Sequence, residues 1–239
     1  MVRVSKPNPA SVRATFESVA HRYDLANHVL SAGIDFIWRK KLVEWALKGN
    51  CYQVLDLATG SGDVAFALRK ALPSDAIITG IDFCEPMLEQ ARIKREKSGL
   101  SKDANKFIAG DCLDLHFDDN QFDLLTISFG LRNLEDRELG FKEAYRVLKP
   151  NGRLIVLEFS QPYRWFRPFY YFYLLAVLPW MARLITGDRN AYLYLGTSIS
   201  AFPNRSKLAE EFAVVGFSEV VYCPMTFSIV SLHMGTKKD

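Results

Sequence analysis

Residues 54–63 (VLDLATGSGD) constrain the fold of this chain more than any other segment. An apolar run that contains Asp56 is followed by Gly60 and Gly62, and a helical pattern begins directly after them. This order indicates a strand, a tight turn and the N-terminus of a helix. The glycines allow a ligand to approach the backbone closely, and the first helical turn offers N–H groups that have no partner within the helix.

A second apolar run, residues 77–81, ends in Asp82, twenty residues after Gly62. An acid at the end of the second strand of such a unit can accept hydrogen bonds from both hydroxyl groups of a ribose. The two segments together predict that the chain binds a cofactor of the adenosine type.

Two classes of cofactor compete for this turn. Gly60 and Gly62, with Ala65 three residues later, fit the loose fingerprint of dinucleotide-binding proteins, so NAD and FAD remain open. Asp56 favours another cofactor, because a carboxylate below the turn repels a pyrophosphate in a partly dry site. The same carboxylate attracts the ammonium and sulfonium groups of S-adenosylmethionine. The order D-x-A-x-G-x-G, followed by an acid, resembles the first motif of class I S-adenosylmethionine methyltransferases.

The composition of the 239 residues (27.2 kDa) fits one α/β domain with decorations. The 30 basic and 27 acidic residues nearly balance, with a net charge of +3, so no nucleic-acid partner is expected. The four cysteines are widely spaced and form no C-x-x-C pair, which predicts no metal site and a reducing compartment. The first residues lack the apolar core of a signal peptide, so the expected location is cytoplasmic.

Strand and helix patterns alternate over most of the chain, which predicts a parallel sheet with helices on both faces. The last two strand patterns are joined by little more than residues 223–225 and should form an antiparallel hairpin. The predicted fold is α/β, doubly wound and Rossmann-like: a mostly parallel seven-stranded sheet that ends in an antiparallel hairpin. This is the class I methyltransferase layout, whereas dinucleotide folds usually remain parallel. The predicted strands are 53–58, 77–82, 106–109, 123–129, 153–159, 217–223 and 226–236, and the predicted helices of this part are 63–71, 85–97, 136–148 and 204–215.

The predicted single domain, 1–239, has four parts. Helical periodicity from about Ser11 and again from Phe36 to Leu47 predicts an N-terminal helical lid over residues 1–50. The cofactor-binding core (51–160) comes next, then an aromatic insertion on the substrate side (161–203), then the C-terminal helix and hairpin (204–239).

The fourth predicted strand ends beside the first, at the crevice where open α/β sheets bind ligands. Directly beyond it the sequence places a cation and an amide, Arg132 and Asn133, which we expect to act on the substrate. Asp111 follows the third strand and is expected above the adenine. The alternative is that Asp111 only caps the next turn.

Longer motifs occur at residues 23–38 (YDxxNxxLSxxxDxxW), 128–133 (SFGLRN), 146–160 (RVLKPNGRLxxLEFS), 194–203 and 232–237. They resemble the signatures of the ubiquinone/menaquinone biosynthesis C-methyltransferases, and the likeness covers roughly residues 12–237. Asp35 stands where many members have His, Ala26 where Met is frequent, and Asn151 replaces the first glycine of Pro-Gly-Gly. Asp35 thus removes an imidazole from the lid, whereas Asn151 tolerates a left-handed turn almost as glycine does.

The resemblance implies that S-adenosylmethionine is used to methylate a ring carbon of a polyprenylated benzoquinol or naphthoquinol, in menaquinone or ubiquinone biosynthesis. Asp35 and the run 58–60 (ATG) favour demethylmenaquinol. The alternatives are a methyltransferase of the same fold with another lipid or phenolic substrate, a nicotinamide-dependent oxidoreductase, and a non-catalytic component of a quinone pathway.

The expected cofactor contacts follow the strand ends. Asp56 is expected to support the ammonium group of the cofactor, the turn 59–62 to hold its methionine end, and Asp82 to bind its ribose. Asp111 and Cys112 are expected at the adenine. The full set of expected cofactor-binding residues is Asp56, Thr59, Gly60, Ser61, Gly62, Asp82, Phe83, Asp111, Cys112 and Ser128.

The expected catalytic residues are Arg132, Asn133, Tyr23 and His21. Arg132 would stabilise a phenolate and, with Asn133, orient a water that removes the proton, because arginine itself is too basic to act as a general base. Tyr23 and His21 are candidates on the lid. The other histidines, His28, His116 and His233, are expected to be structural or exposed.

Residues 165–180 are the most apolar part of the chain and are rich in aromatic residues. Arginines flank the segment and prolines interrupt it, so it is a poor membrane span. It suits either a membrane interface or a channel for a prenyl tail. The alternative is a helix that covers the sheet or a partner subunit. We therefore expect peripheral contact with the inner face of the membrane through 165–185, and a homodimer is a further expectation.

Overall fold

The computed structural model of the protein describes residues 12–14, 28, 31–49, 51–178, 180 and 189–239, with the backbone alone at 189–193. The candidate lid residues His21 and Tyr23 lie outside the described residues. In the described part of the chain, no helix combines the length and apolar character needed to cross a bilayer.

A seven-stranded sheet forms the centre of the fold. Its strands are β1 Gln53–Leu57, β2 Ile77–Asp82, β3 Asn105–Ala109, β4 Phe122–Ser128, β5 Leu148–Phe159, β6 Ser218–Met225 and β7 Val230–Thr236. The order is β3-β2-β1-β4-β5-β7-β6, and neighbouring strands from β3 to β5 are parallel. β7 pairs antiparallel with both β5 and β6, so the predicted sheet and its final hairpin are confirmed.

Helices pack on both faces of this sheet. The described helices are α1 Ile34–Ala46, α2 Asp63–Ala71, α3 Glu85–Lys97, α4 Arg137–Val147, α5 Arg167–Phe172, α6 Arg189–Ala201 and α7 Arg205–Val215. α5 continues as a π-helical segment, Tyr173–Val177. The predicted bounds of α2 and α3 are confirmed, while the predicted helix 136–148 included Asp136, which is the N-cap of α4 and accepts a hydrogen bond from the backbone N–H of Leu139.

Each face of the sheet has its own apolar core. On one face, Leu42, Leu68 and Leu88 bring α1, α2 and α3 against the strands. On the other face, Phe141 of α4 and Phe212 of α7 pack with their rings 4.7 Å apart. Because apolar side chains cover both faces, the parallel strands are nearly continuous hydrophobic runs, and the few polar groups within them stand out as functional candidates.

Two predicted boundaries were wrong. The hairpin turn was expected at 223–225, but those residues end β6, and the turn follows at 226–229. β6 is an edge strand, where a proline such as Pro224 is tolerated because one side of the strand has no neighbour in the sheet. β5 was expected to begin at residue 153, but it begins at Leu148 and bulges through Asn151, which has a positive φ of 62°.

Candidate functional site

A cavity of about 490 Å³ opens above the carboxyl ends of β1, β2 and β4, beneath α1 and α5. Its volume is in the range of sites for cofactors and small molecules. We call the part at the strand ends the polar half and the part along α5 and α6 the apolar half. The polar half is lined by Asp56, Thr59, Gly60, Ser61, Asp82, Phe83, Asp111, Cys112 and Ser128, and the apolar half by Phe159, Tyr170, Tyr173, Leu174, Leu178 and Ile199, among others.

The glycine turn that follows β1 forms the floor of the polar half. Gly60 and Gly62 both adopt positive φ angles, 55° and 84°, which favour glycine. A Cβ atom at position 62 would lie 2.9 Å from the ring of Phe66 and 3.0 Å from that of Phe107. Gly62 does not line the cavity, so its part is to let the turn pack tightly, whereas Gly60 faces the cavity itself.

Asp56 is a fully buried carboxylate beneath this turn. Its Oδ1 accepts a hydrogen bond from the hydroxyl of Thr126 at 2.6 Å, and its Oδ2 accepts one from Thr59, also at 2.6 Å. Thr126 is the register partner of Asp56 on the neighbouring strand. Burial raises the pKa of Asp56 to about 6, against the opposite effect of the two hydroxyls, and the nearby charge of Asp82 raises it further.

Asp82 is fixed at the end of β2 by two backbone groups. Its Oδ2 accepts from the N–H of Gly60 at 2.8 Å and its Oδ1 from the N–H of Cys84 at 2.9 Å. Burial raises its pKa in spite of these bonds. Asp111 is more exposed and accepts from the N–H of Leu113 at 2.9 Å, so it both caps a turn, as the alternative reading expected, and lines the cavity.

The charges around the polar half favour a cationic ligand. Asp56, Asp82 and Asp111 form no ion pair with any described residue. The described cations that line the cavity are both paired, since Arg39 contacts Asp35 and Asp63 and Arg132 contacts Glu158. A positive group in the cavity would therefore gain attraction that no described side chain supplies.

Ser128 adds to the polar half a hydroxyl group that lacks a hydrogen-bond partner among the described residues. It ends β4, and this hydroxyl is buried. Buried polar groups are nearly always bonded, so such a group beside a cavity indicates a polar atom of a ligand or a water. The acids, the close turn and this hydroxyl fit the amino-acid end of S-adenosylmethionine.

Arg132 lies beyond the end of β4 in a short turn of 3-10 helix, Leu131–Asn133. Its guanidinium is buried against Glu158 Oε1 at 2.9 Å, and its backbone N–H donates to Glu158 Oε2 at 3.2 Å. The guanidinium also bonds the backbone carbonyl of Phe129 and lies over the ring of Phe159, 5.2 Å from its centre. Glu158 thus offsets part of the positive charge that Arg132 presents to the cavity.

The ends of β1 and β4 meet very closely here. Ala58 and Phe129 both adopt positive φ angles, 49° and 56°, which cost free energy in residues other than glycine. A Cβ atom at Gly130 would lie only 2.5 Å from the Cβ of Ala58. Only glycine at position 130 therefore allows the turn that carries Arg132 to lie directly beside the cofactor turn.

The aromatic insertion has two different faces. Tyr170, Leu174 and Leu178 are buried and line the apolar half. On the outer face, Phe172 is 68 % exposed, whereas Phe169 is exposed to the same extent but also lines the cavity. Among the residues that the structure describes, no charged side chain lines the apolar half except Arg132 at its border, so this half suits an apolar chain.

The start of α1 lines the cavity next to the glycine turn. Asp35 is buried, lines the cavity, and accepts from the hydroxyl of Ser31 at 2.8 Å and from the ring of His28 at 2.6 Å. Arg39 joins Asp35 to Asp63 of α2, 3.1 Å from the latter. Burial acts to raise the pKa of Asp35, but these hydrogen bonds and charges hold it below its ordinary value. The imidazole of His28 thus contacts Asp35, although His28 itself does not line the cavity.

Comparison with known proteins decides the family. The family model described as "ubiE/COQ5 methyltransferase family" matches residues 4–237. The chain belongs to this family. A demethylmenaquinone methyltransferase of Thermus thermophilus is 44 % identical over 93 % of this chain and 99 % of that protein. A ubiquinone/menaquinone biosynthesis C-methyltransferase UbiE of Geotalea daltonii is 41 % identical over 95 % of this chain and 96 % of that protein.

The fold agrees with this assignment. The crystal structure of a putative S-adenosyl-L-methionine-dependent methyltransferase of Methanococcus maripaludis superposes with a TM-score of 0.66 at 20 % identity, over 93 % of this chain and 94 % of that one. The protein is therefore an S-adenosylmethionine-dependent methyltransferase of the type that acts in quinone biosynthesis. The oxidoreductase alternative is set aside.

Most of the candidate residues of this methyltransferase meet at one cavity. Of the expected cofactor residues, only Gly62 does not line it. His116 is exposed and His233 is buried, as expected, whereas the contact of His28 with Asp35 was missed. Helical spacing gives no signal for this contact, because His28 precedes the turn at 31–33 and α1 begins only at Ile34. Glu158 and Tyr194 were quoted in the motifs without a role, because nothing in the local sequence pairs them with Arg132 and Asn133.

Proposed function

We propose that this methyltransferase uses S-adenosylmethionine to methylate a ring carbon of a polyprenylated quinol, with demethylmenaquinol as the preferred substrate. One observation carries the proposal: a single cavity joins an anionic half at the strand ends to an apolar half along the aromatic insertion. The names of the relatives are consistent with it, since both demethylmenaquinone methyltransferases and ubiquinone/menaquinone C-methyltransferases are among them.

The cofactor would lie in the polar half. The negative charge of Asp56, beneath the glycine turn, would attract the ammonium group, and Thr59 to Ser61 would hold the methionine end. Asp82 would accept hydrogen bonds from the ribose hydroxyls. When bound, S-adenosylmethionine supplies an electrophilic methyl group. Phe83, Asp111 and Cys112 would border the adenine, and Ser128 would bond a polar atom of the amino-acid end.

The quinol ring would lie where the two halves meet, beside Arg132 and Asn133. The ring carbon must come within about 3–3.5 Å of the methyl group, in line with the departing sulfur. A phenolate is a far better carbon nucleophile than a phenol, and forming it at pH 7 from a pKa near 10 costs about 4 kcal/mol. The charge of Arg132, although shared with Glu158, reduces that cost, and an ordered water carries the proton to solvent.

The prenyl tail would lie in the apolar half against Tyr170, Leu174 and Leu178. Burial of an apolar chain contributes about 0.8 kcal/mol per methylene group. A few isoprene units therefore supply enough binding free energy to hold the ring at the strand ends. Quinols without a tail should bind much more weakly, and their KM should rise with every unit removed.

The direct test is incubation of the purified protein with methyl-labelled S-adenosylmethionine and demethylmenaquinol. We expect the label on a ring carbon of the naphthoquinol. Label on oxygen would assign the same fold to a different phenolic reaction, and absence of transfer to any quinol would contradict the proposal. The demethylated ubiquinone precursor, assayed in parallel, distinguishes the two quinone pathways by kcat/KM.

The outer face of the insertion supports peripheral contact with an anionic lipid bilayer. Trp165 and Phe172 are exposed and do not line the cavity, and they lie on a segment whose buried face lines the apolar half, so the tail would enter from lipid beside its own site. Arg164 and Arg167 flank these rings and would attract anionic head groups.

Sedimentation with vesicles tests this contact. We expect binding to vesicles that contain phosphatidylglycerol and loss of most of it in the double variant Trp165→Ser, Phe172→Ser, which leaves the residues that line the cavity unchanged. Val214→Ser, which removes an apolar side chain that is 78 % exposed on α7, is the matched control and should bind normally. Unchanged binding of the double variant would contradict the proposal, and light scattering on the same samples reports whether this face instead joins two copies of the chain.

A further inference from the structure

Two distant parts of the chain meet in one hydrogen bond at the border of the two halves. The hydroxyl of Tyr194, on α6, donates to Oδ1 of Asn133 at 3.0 Å. Asn133 lines the cavity, and its own backbone is held by a bond from its N–H to the carbonyl of Gly130 at 3.0 Å. The substrate-side insertion therefore holds a side chain of the turn that carries Arg132.

This bond decides which groups Asn133 offers to the cavity. A primary amide has one oxygen that accepts and one nitrogen that donates two hydrogen bonds. With the oxygen occupied by Tyr194, the nitrogen remains, and no described residue accepts from it. The Asn133 side chain thus presents donors, which suit an oxygen atom of a substrate and not a second donor.

Tyr194 is suited to remain a donor. Burial raises the pKa of its hydroxyl, while the charge of Arg132 lowers it and that of Glu158 raises it. The phenol therefore keeps its proton throughout the range in which the reaction runs. If the amide were flipped, its nitrogen would donate to the hydroxyl oxygen, and the O–H of Tyr194 would then need another acceptor, which no described residue supplies. This favours the orientation in which the amide oxygen accepts from Tyr194.

We propose that Tyr194 is a positioning residue that turns the amide N–H groups of Asn133 toward the cavity, where they bind the oxygen adjacent to the ring carbon that is methylated. This inference rests on the proposed function and names a specific donor for its substrate. The donor is needed because the positive charge of Arg132 is already shared with Glu158.

The donor acts while charge moves in the ring. As the bond from the ring carbon to the methyl group forms, the bond from sulfur to methyl breaks and sulfur keeps its electron pair. The phenolate oxygen becomes a carbonyl oxygen. Loss of the ring proton to water then returns that electron pair to the ring and gives the aromatic phenolate of the product, which takes up a proton from water to become the quinol. An N–H group on that oxygen stabilises the anion from which the reaction starts and so raises the fraction of reactive substrate at neutral pH.

The variant Tyr194→Phe tests the inference. Loss of one orienting bond should lower kcat about 10-fold, with the KM for demethylmenaquinol and the affinity for S-adenosylhomocysteine changed less than about 2-fold. The acid limb of the pH profile of kcat should move up by about one pH unit, the equivalent of that loss in anion stability. Tyr171→Phe is the matched control, because the Tyr171 hydroxyl also donates to a side-chain amide oxygen, that of Gln161 at 2.7 Å, away from Asn133. It should keep the wild-type rate and profile.

The variant Asn133→Ala supplies the decisive background. If Tyr194 acts through Asn133, Tyr194→Phe should have no further effect on kcat once the amide is gone. Equal losses in both backgrounds, an unshifted pH profile, or a wild-type rate in Tyr194→Phe would each overturn the inference. Thermal unfolding of every variant identifies a fall in rate that follows only from lost stability. Failure of the wild-type protein to methylate the quinol at carbon would contradict the proposed function itself, before any variant is compared.

Discussion

The buried carboxylate of Asp56 should make the cofactor-free protein less stable than it could be. Its pKa rises from an ordinary 3.8 to about 6 on folding. Each pKa unit corresponds to about 1.4 kcal/mol, so the charged carboxylate costs about 3 kcal/mol at pH 7 as an upper value. The variant Asp56→Asn keeps the shape, and the hydroxyls of Thr59 and Thr126 can bond an amide as well as a carboxylate.

The sign of the pH dependence follows from the direction of the shift. Between about pH 4 and 6 the folded protein binds a proton at Asp56 that the unfolded chain does not, so this group's contribution to stability is largest at low pH and is lost as the pH rises through 6. The free energy of unfolding of Asp56→Asn should therefore equal that of the wild type near pH 4 and exceed it by up to about 3 kcal/mol at pH 7.

Urea denaturation at pH 4.5, 5.5 and 7 measures this difference, and calorimetry gives the affinity for S-adenosylmethionine. We expect the more stable variant to bind the cofactor about 10- to 100-fold more weakly, because the ammonium group loses its counter-charge. Asp123→Asn is the control, since Asp123 lies at the opposite end of β4 and pairs with Lys149 at 2.6 Å. Although burial alone would raise the pKa of Asp123, this pairing lowers it, so the control should lose stability. A variant Asp56→Asn that is less stable than the wild type at pH 7, or that binds the cofactor equally well, would refute the reasoning.

Two further predictions concern other buried ionisable groups. Arg132→Ala should lower kcat far more than cofactor affinity, and it should cost about 3–5 kcal/mol of stability because Glu158 is left buried without its partner. Combining it with Glu158→Gln should restore much of the stability but not the rate. Equal losses of rate and affinity would make Arg132 a folding residue. Burial lowers the pKa of His233 to about 4, so the protein should lose up to about 3 kcal/mol as the pH falls from about 6.5 to 4. His233→Gln should flatten that loss in urea denaturation, and an unchanged slope would contradict it.

The fold could be predicted from the sequence where the information is local. α2 begins directly after Gly62 and α3 begins at Glu85-Pro86, with a proline in its first turn, so local signals fix both starts. The predicted position of the hairpin turn was wrong because proline usually interrupts a strand. Pro224 is tolerated within β6 because β6 lies at the edge of the sheet.

The site could be predicted as a set of positions but not as a set of contacts. Asp56, Asp82 and Arg132 were identified because each follows or ends a strand pattern, and parallel strands bring such ends together. The bond from Tyr194 to Asn133 spans 61 residues and the pair of Arg132 with Glu158 spans 26, so neither leaves a periodic signal. Such contacts depend on how the insertion packs, which the local pattern does not determine.

The near-contact of Ala58 with Gly130 has a consequence for how this enzyme can diverge. A methyl group added at position 130 would force apart the turn after β1 and the turn that carries Arg132, which line the proposed cofactor and substrate sites. Positions 58 and 130 must therefore vary together. A larger side chain at either position would increase the distance between the proposed methyl donor and its acceptor. Substitutions among the apolar residues of the cavity could change which substrates bind. The small side chains at Ala58 and Gly130 would meanwhile keep the distance between the two proposed sites constant.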